Sequence, residues 1–221
     1  MTDAALAIPH ADAADIEAIV TEPDGDASAT IVLAHGAGAG MRHAFMEGMA
    51  HALAEAGLRV VRFDFPYVTA GRRFPDRAPA AIAAWQTVAD AARALDDVPL
   101  VAAGKSFGGR MASMAVAEGM PANALIYLGY PLHAPGKPER LRDEHLYGIA
   151  VPQRFVQGTM DPFSSGDLLE GVVERIGATA SLDAVEGGGH SFEVKGRKRT
   201  PEVIAAELAP QVVDWVRATV G

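Results

Sequence analysis

A mostly parallel β-sheet with helices on both faces, and no large cap domain, is the α/β fold class that this sequence predicts. Two observations point to it. Short apolar runs, each long enough for one buried strand, alternate along the chain with helix-length stretches, the order expected of βα units. One of those runs, Leu100–Ala103, passes through Gly104-Lys105-Ser106-Phe107-Gly108 straight into a helical stretch, Arg110–Ala117. A strand that turns at once into a helix around G-x-S-x-G lifts its serine above the sheet edge. The turn is tight, and glycines on either side of Ser106 have no side chains to clash.

The elements follow in order. Asp15–Glu22 alternates as an early edge strand, and Pro23–Asp26 is a turn cluster. Thr30–Ala34 is a buried strand that runs into His35-Gly36-Ala37-Gly38-Ala39-Gly40. His43–Ala56 reads as a helix closed by Gly57. Leu58–Phe63 is the next strand, followed by Asp64-Phe65-Pro66-Tyr67 and an arginine-rich loop. Pro79–Leu95 is helical, with proline in the first turn. After the central strand and its helix come a strand at Asn123–Tyr130 and a polar, proline-bearing connection over Pro131–Gly148. Arg154–Gly158 ends a strand, Asp167–Ile176 is a helix stopped by Gly177, and Thr179–Val185 alternates as a strand. Glu202–Val220 is a closing amphipathic helix. The longest irregular stretch, Leu132–Ala150, is too short for a cap domain.

Composition bounds the function. A chain of 221 residues suits one domain, residues 1–221, with a core that needs no staples. A formal net charge of −9 argues against nucleic acid or an anionic membrane as a broad partner. There are no cysteines, which removes disulfides, thiolate zinc sites and a cysteine nucleophile. The N-terminal stretch MTDAALAIPHADAAD lacks the basic and apolar regions of a signal peptide. No apolar run reaches the ~18 residues of a membrane span. A soluble, cytoplasmic protein is expected. No H-E-x-x-H or clustered metal-ligand pattern appears, so neither metal nor cofactor is expected. The oligomeric state is not legible.

The chemistry lies at strand ends, where open α/β sheets build their sites. Gly104-Lys105-Ser106 also resembles the end of a phosphate-binding loop. That motif needs a further glycine where this chain has Pro99. Two partners for Ser106 follow downstream. Asp161 stands in Gln157-Gly158-Thr159-Met160-Asp161-Pro162, and His190 in the glycine loop Gly187-Gly188-Gly189-His190. Taken singly, an Asp before Pro is a turn former and a His in a glycine loop is a surface residue. Taken together, each after its own strand and in the order Ser, Asp, His, they match the arrangement that activates a serine. A hydroxyl is a poor nucleophile until a base takes its proton. His190 can take it near neutral pH and return it to a leaving group. Asp161 then orients and stabilises the imidazolium. The glycine loop at 35–40 lies where a second oxyanion donor belongs, which assigns the donors to the amides of Ala37 and Phe107. A dinucleotide loop would need glycine at 41 or 43, where Met41 and His43 stand.

Other residues carry weaker expectations. Tyr67, Phe163, Phe192 and Phe107 neighbour site loops and are candidates for an acyl pocket. His133, Tyr130 and Arg140 are candidates for substrate contact at its mouth. Asp64 is a rival acid, His35 a packing residue under its loop, and Lys105 a rim charge. His43 reads as an exposed helix residue. Lys195, Arg197, Lys198 and Arg199 form a basic run that is either a solvated loop or an anchor for an anionic substrate.

Taken together, HGAGAG at 35–40, RFDFPY at 62–67, GKSFGGRMAS at 104–113, GYPLHAPGKPERLR at 129–142, VQGTMDPF at 156–163 and GGGHSF at 187–192 resemble one group. It is that of the small α/β-hydrolases related to dienelactone hydrolase, and to the testis-expressed and NSL-complex hydrolase-like proteins. The resemblance spans Ile31 to Val216. It implies an α/β-hydrolase fold with Ser106 as nucleophile, Asp161 as acid and His190 as base. Dienelactone hydrolases use cysteine where this chain has Ser106, a departure that bears on the substrate. The expectation is a serine hydrolase that cleaves a small-molecule carboxylic ester or thioester through an acyl-enzyme. The alternative is a non-catalytic interaction module on the same scaffold, since some eukaryotic relatives are subunits of chromatin complexes.

Overall fold

The computed structural model describes residues 1–11, 14–164 and 166–221. Its strands are β1 (Thr2–Ile8), β2 (Ile16–Glu22), β3 (Thr30–Ala34), β4 (Arg59–Phe63), β5 (Leu100–Lys105), β6 (Ala124–Leu128), β7 (Gln153–Gly158) and β8 (Ala180–Val185). They form one sheet in the order β1-β2-β4-β3-β5-β6-β7-β8. From β4 to β8 every neighbouring pair is parallel, and β1 and β2 join antiparallel at one edge. The helices are α1 (Ala44–Glu55), α2 (Pro66–Thr69), α3 (Ala78–Arg93), α4 (Phe107–Ala117), α5 (Gly166–Ile176) and α6 (Pro201–Val220), with a 3₁₀ turn at Glu144–Gly148.

The continuous apolar runs explain the layers. β3, β5 and β6 sit mid-sheet and are buried on both faces, so they read as unbroken hydrophobic stretches rather than alternating ones. Successive side chains point to opposite faces. Ile31, Leu33, Val101 and Ala103 pack with α1 and α6. Val32, Ala34 and Ala102 pack with Trp85 of α3 and Met111 of α4. The fold is an α/β-hydrolase fold, and the described residues form no large cap.

The boundaries differ from the sequence reading in instructive ways. β2 is not the edge strand, because β1 lies outside it. β1 is largely exposed and alanine-rich, so it carries no apolar alternation to read. What docks it is backbone pairing with β2 and a charge: Asp3 accepts from Thr21 Oγ1 at 2.6 Å and from the buried Arg62 at 2.9 Å. α4 begins at Phe107, directly after Ser106, so the two glycines of Gly108-Gly109 belong to the helix and not to a loop before it. The short helix α2 sits where the sequence offered only a chain leaving a strand.

The C-terminal ends of β3, β5, β7 and β8 lie along one edge and carry the four loops singled out above. Gly108 locks two of them together. A Cβ at this position would stand 2.6 Å from the carbonyl oxygens of both Ala34 and His35. Both are backbone atoms with no room to give, so Gly108→Ala should destabilise the fold by about 3 kcal/mol or more. Gly148, which has nothing within 4 Å of its Cβ position, is the control, and Gly148→Ala should shift stability by less than about 0.5 kcal/mol. Urea midpoints of the two variants check the pair.

Candidate active site

Ser106 adopts φ 50° and ψ −114°, a region that residues other than glycine rarely enter. Such a backbone costs roughly 1–3 kcal/mol. It persists because its surroundings leave no alternative. The Ser106 N–H donates to Leu128 O at 3.0 Å, and Ser106 O accepts from Arg110 N at 3.0 Å. The strand and helix that meet there touch backbone to backbone. A Cβ on Gly104 would lie 2.2 Å from Gly109 N, and one on Gly109 would lie 2.6 Å from Gly104 O. Gly109 had no role in the sequence reading; the doubled glycine of GGR was its signal.

Ser106, Asp161 and His190 are brought together in a line. His190 Nε2 lies 2.8 Å from Ser106 Oγ, and His190 Nδ1 lies 2.7 Å from Asp161 Oδ2. The carboxylate is buried and acts only as an acceptor, which places the imidazole proton on Nδ1. Nε2 is thereby left to accept from the Ser106 hydroxyl. Asp161 also accepts from Gln157 Nε2 at 2.6 Å and from Phe163 N at 2.8 Å. Gln157 is itself oriented by the Tyr130 N–H, which donates to its Oε1 at 2.7 Å. Gln157 had no part in the sequence reading; its place at the end of β7, four residues before Asp161, was the only signal. The loop that carries His190 folds back over β7, where Gly158 meets the Gly188 and Gly189 carbonyls so closely that a Cβ would lie 2.2 and 2.5 Å away.

The loop at 35–40 runs beside the elbow, with Gly36 against Lys105 O and Ser106 Cβ. Its underside is held by residues of RFDFPY. His35 is fully buried; Phe65 N donates to its Nε2 at 3.3 Å, which leaves Nδ1–H to donate to Gly36 O at 2.8 Å. Burial lowers its pKa, so it acts as a neutral strut. Asp64 Oδ1 accepts from Met41 N at 2.6 Å, which spends the rival acid on the loop. Ala37 and Phe107 both face the cavity above Ser106.

That cavity holds about 710 Å³. Phe163 and Phe107 line it, and the Phe163 ring lies 4.4 Å from the His190 ring. Three expected contacts do not reach it. Tyr67 is buried beneath the 35–40 loop, where its hydroxyl accepts from Gly38 N at 3.3 Å. Phe192 has φ 64°, which turns its ring down into the core against Phe45. His133 is buried beside its own chain, its Nδ1 2.9 Å from Ala134 O. Tyr130 and Arg140 are also outside the lining; Pro131 and Arg142 take their place. Of the basic run only Arg199 reaches the cavity, and it pairs with Glu207 and donates to Phe192 O at 3.1 Å. His43 is exposed, as expected, and it caps α1, its Nδ1 accepting from Phe45 N at 3.2 Å at the rim of the cavity. Among the described residues no group of three or more His, Asp or Glu side chains could hold a metal ion. No helix among them is long and apolar enough to cross a membrane.

The fold and its sheet-edge site place the chain in a class: it belongs to the alpha/beta hydrolase domain family, which residues 27–217 match. Among solved structures it is similar to an alpha-beta serine hydrolase homologue from Coxiella burnetii, with 21% identity over 98% of both chains and a TM-score of 0.77. It is also similar to an α/β serine hydrolase without a lid from Xanthomonas campestris, at 22% identity, covering 100% of this chain and 96% of that one, with a TM-score of 0.78. A dienelactone hydrolase from Anabaena variabilis aligns at 19% identity over 100% of this chain and 99% of its own, with a TM-score of 0.78. At such identities the likeness is one of fold.

Lys105, next to Ser106, is not a rim charge. Its side chain is largely buried, and Nζ donates to His190 O at 2.7 Å, tying the elbow to the histidine loop. Burial lowers its pKa from 10.5 to about 8, against the opposing pull of Asp161 and Glu193. A lysine whose folded pKa lies below its unfolded value binds fewer protons folded than unfolded between the two, so stability rises with pH there. Below that interval the cost of burying the charge is fully present. Relative to Lys105→Met, the wild type should therefore gain stability between about pH 8 and 10.5, by about 3 kcal/mol at most. Urea midpoints measured side by side across that range check it, and parallel profiles would contradict the burial account.

Proposed function

We propose that the protein is a serine hydrolase that cleaves a carboxylic ester or thioester of a small molecule through an acyl-enzyme. The observation that carries this reading is the pair of short contacts on either side of one imidazole, 2.8 Å to Ser106 Oγ and 2.7 Å to Asp161 Oδ2. Ser106 Oγ attacks the carbonyl carbon while its proton passes to His190 Nε2. Asp161 stabilises the imidazolium that forms. The carbonyl oxygen takes up negative charge facing the amides of Ala37 and Phe107, each worth about 3 kcal/mol of barrier lowering. Collapse expels the alcohol or thiol, which takes the proton from Nε2. Water then attacks the acyl-enzyme by the same path in reverse. The strained, glycine-packed backbone at Ser106 supports the reading, because strain of this kind is retained where it positions a reacting group.

The absence of a large cap and the open edge of the sheet favour a small or medium acyl group, with Phe107 and Phe163 as the aromatic wall. The closer likeness to the testis-expressed and NSL-complex hydrolase-like proteins rests on the motifs alone. From the length and composition of the chain, we read the protein as cytoplasmic and as a single domain. A purely scaffolding role has no use for a buried, fully hydrogen-bonded Asp161 behind a histidine, and this favours the catalytic reading.

A fluorophosphonate probe should label Ser106, and Ser106→Ala should abolish both labelling and the hydrolysis of short p-nitrophenyl esters. Asp161→Asn should lower kcat by roughly 10⁴-fold with the fold intact, since the amide favours the wrong imidazole tautomer. A folded protein that neither labels nor cleaves esters or thioesters would overturn the proposal.

A further inference from the structure

Most of the charged side chains around the cavity already have a hydrogen-bond or ion-pair partner. Arg199 pairs with Glu207, Lys105 Nζ is committed to His190 O, and Glu193 Oε2 accepts from Ser191 N. Arg110 and Arg142 are different. Both line the cavity that holds Ser106. Among the described residues neither guanidinium takes part in an ion pair, and Arg110 Nε is sealed from solvent with no hydrogen-bond partner. They share one cavity wall, and burial lowers the Arg110 pKa, with the charge of Arg142 adding to the fall against the opposing pull of Tyr130. Two like charges held together and partly desolvated, with no counter-charge, are costly. The cost is the more pointed in a chain of net charge −9, with 28 acidic residues to place there. Asp143, the next residue after Arg142, accepts instead from the Tyr147 hydroxyl.

The pair is also fixed from behind. Ser113 Oγ donates to Arg110 O at 2.7 Å, and the Tyr130 hydroxyl donates to Arg142 O at 2.8 Å. His145 Nε2 lies 2.8 Å from that serine oxygen and 3.5 Å from that tyrosine oxygen. Burial, and then the charge of Arg110, depresses the His145 pKa to about 4, so the cluster is neutral and supplies no counter-charge. One neutral network thus grips both backbones and leaves both cationic heads to the cavity.

We infer that Arg110 and Arg142 form an anion subsite beside Ser106, and that the substrate is an ester or thioester that also carries a carboxylate or phosphate group. Guanidinium forks suit both oxyanions. The proposal rests on the hydrolase reading and names its substrate class. Arg110 stands one helical turn beyond Ser106, a rise of about 6 Å, so the anionic group lies a few bonds from the carbonyl that Ser106 attacks.

The test compares matched substrates. p-Nitrophenyl butyrate is set against p-nitrophenyl hemiglutarate, which places a carboxylate on the acyl side. Phenyl butyrate is set against 4-butyryloxybenzoate and 4-butyryloxyphenyl phosphate, which place a carboxylate or a phosphate on the leaving side. At least one charged ester should exceed its uncharged partner in kcat/KM by roughly 10- to 100-fold. That ratio should fall to near one in Arg142→Gln and drop sharply in Arg110→Lys, which cannot present a fork. Arg140→Gln, exposed and outside the cavity, should keep both the ratio and the basal rate. A second readout needs no turnover: in Ser106→Ala, glutarate or inorganic phosphate should bind by calorimetry, and the added Arg142→Gln change should remove that binding. Ester hydrolysis with no preference for any charged ester and no anion binding would overturn the subsite and leave the hydrolase reading standing. If no ester is cleaved, the hydrolase reading fails, and the anion titration alone still decides whether the subsite exists.

Discussion

The backbone of Ser106 is the constraint on which the rest depends. Its φ of 50° is tolerable only where neighbouring atoms forbid every alternative. Gly104 and Gly109 let β5 and α4 meet without side chains between them, and Gly108 lets the same helix press against the end of β3. One tight turn therefore sets three things at once: the direction of the serine hydroxyl, the start of α4 at the very next residue, and the position of the loop that follows β3. The strain is small beside the burial of the central strands, whose apolar side chains are contributed to both layers.

Around that turn the loops hold one another rather than themselves. His35, Asp64 and Tyr67 brace the 35–40 loop from below through hydrogen bonds with backbone groups. Gln157 holds Asp161, Asp161 holds His190, and Lys105 ties the backbone of His190 back to the elbow. The chain of contacts closes on itself. A site on loops reaches the fixed geometry that proton transfer needs when each loop is cross-braced in this way.

The sheet and the meeting of Ser106, Asp161 and His190 were legible in the sequence because their signals are local. A buried strand is an apolar run, an elbow is a glycine-serine-glycine turn, and the Asp and His loops directly follow their strands. Side-chain direction is not local in that sense. Phe192 stands two residues after His190, yet its positive φ turns it into the core. Tyr67 points beneath the 35–40 loop, and His133 is buried against its own chain. Lys105 looked like a rim charge because adjacency to Ser106 says nothing about depth. Arg142 lay inside a quoted motif, but only the fold shows that the connection after β6 brings it beside Arg110. β1 was missed for another reason: an alanine-rich exposed strand is held by pairing and by Asp3, neither of which leaves a periodic trace.

The central claim is that the strained turn aims one oxygen at His190 while two amides face the charge that develops next to it. A crystal structure of the protein phosphonylated at Ser106 tests this most directly. The account predicts Ser106 still at positive φ, and the phosphonyl oxygen within about 2.7–3.1 Å of the amide nitrogens of both Ala37 and Phe107. A relaxed Ser106 backbone, or an oxygen turned away from both amides, would contradict it.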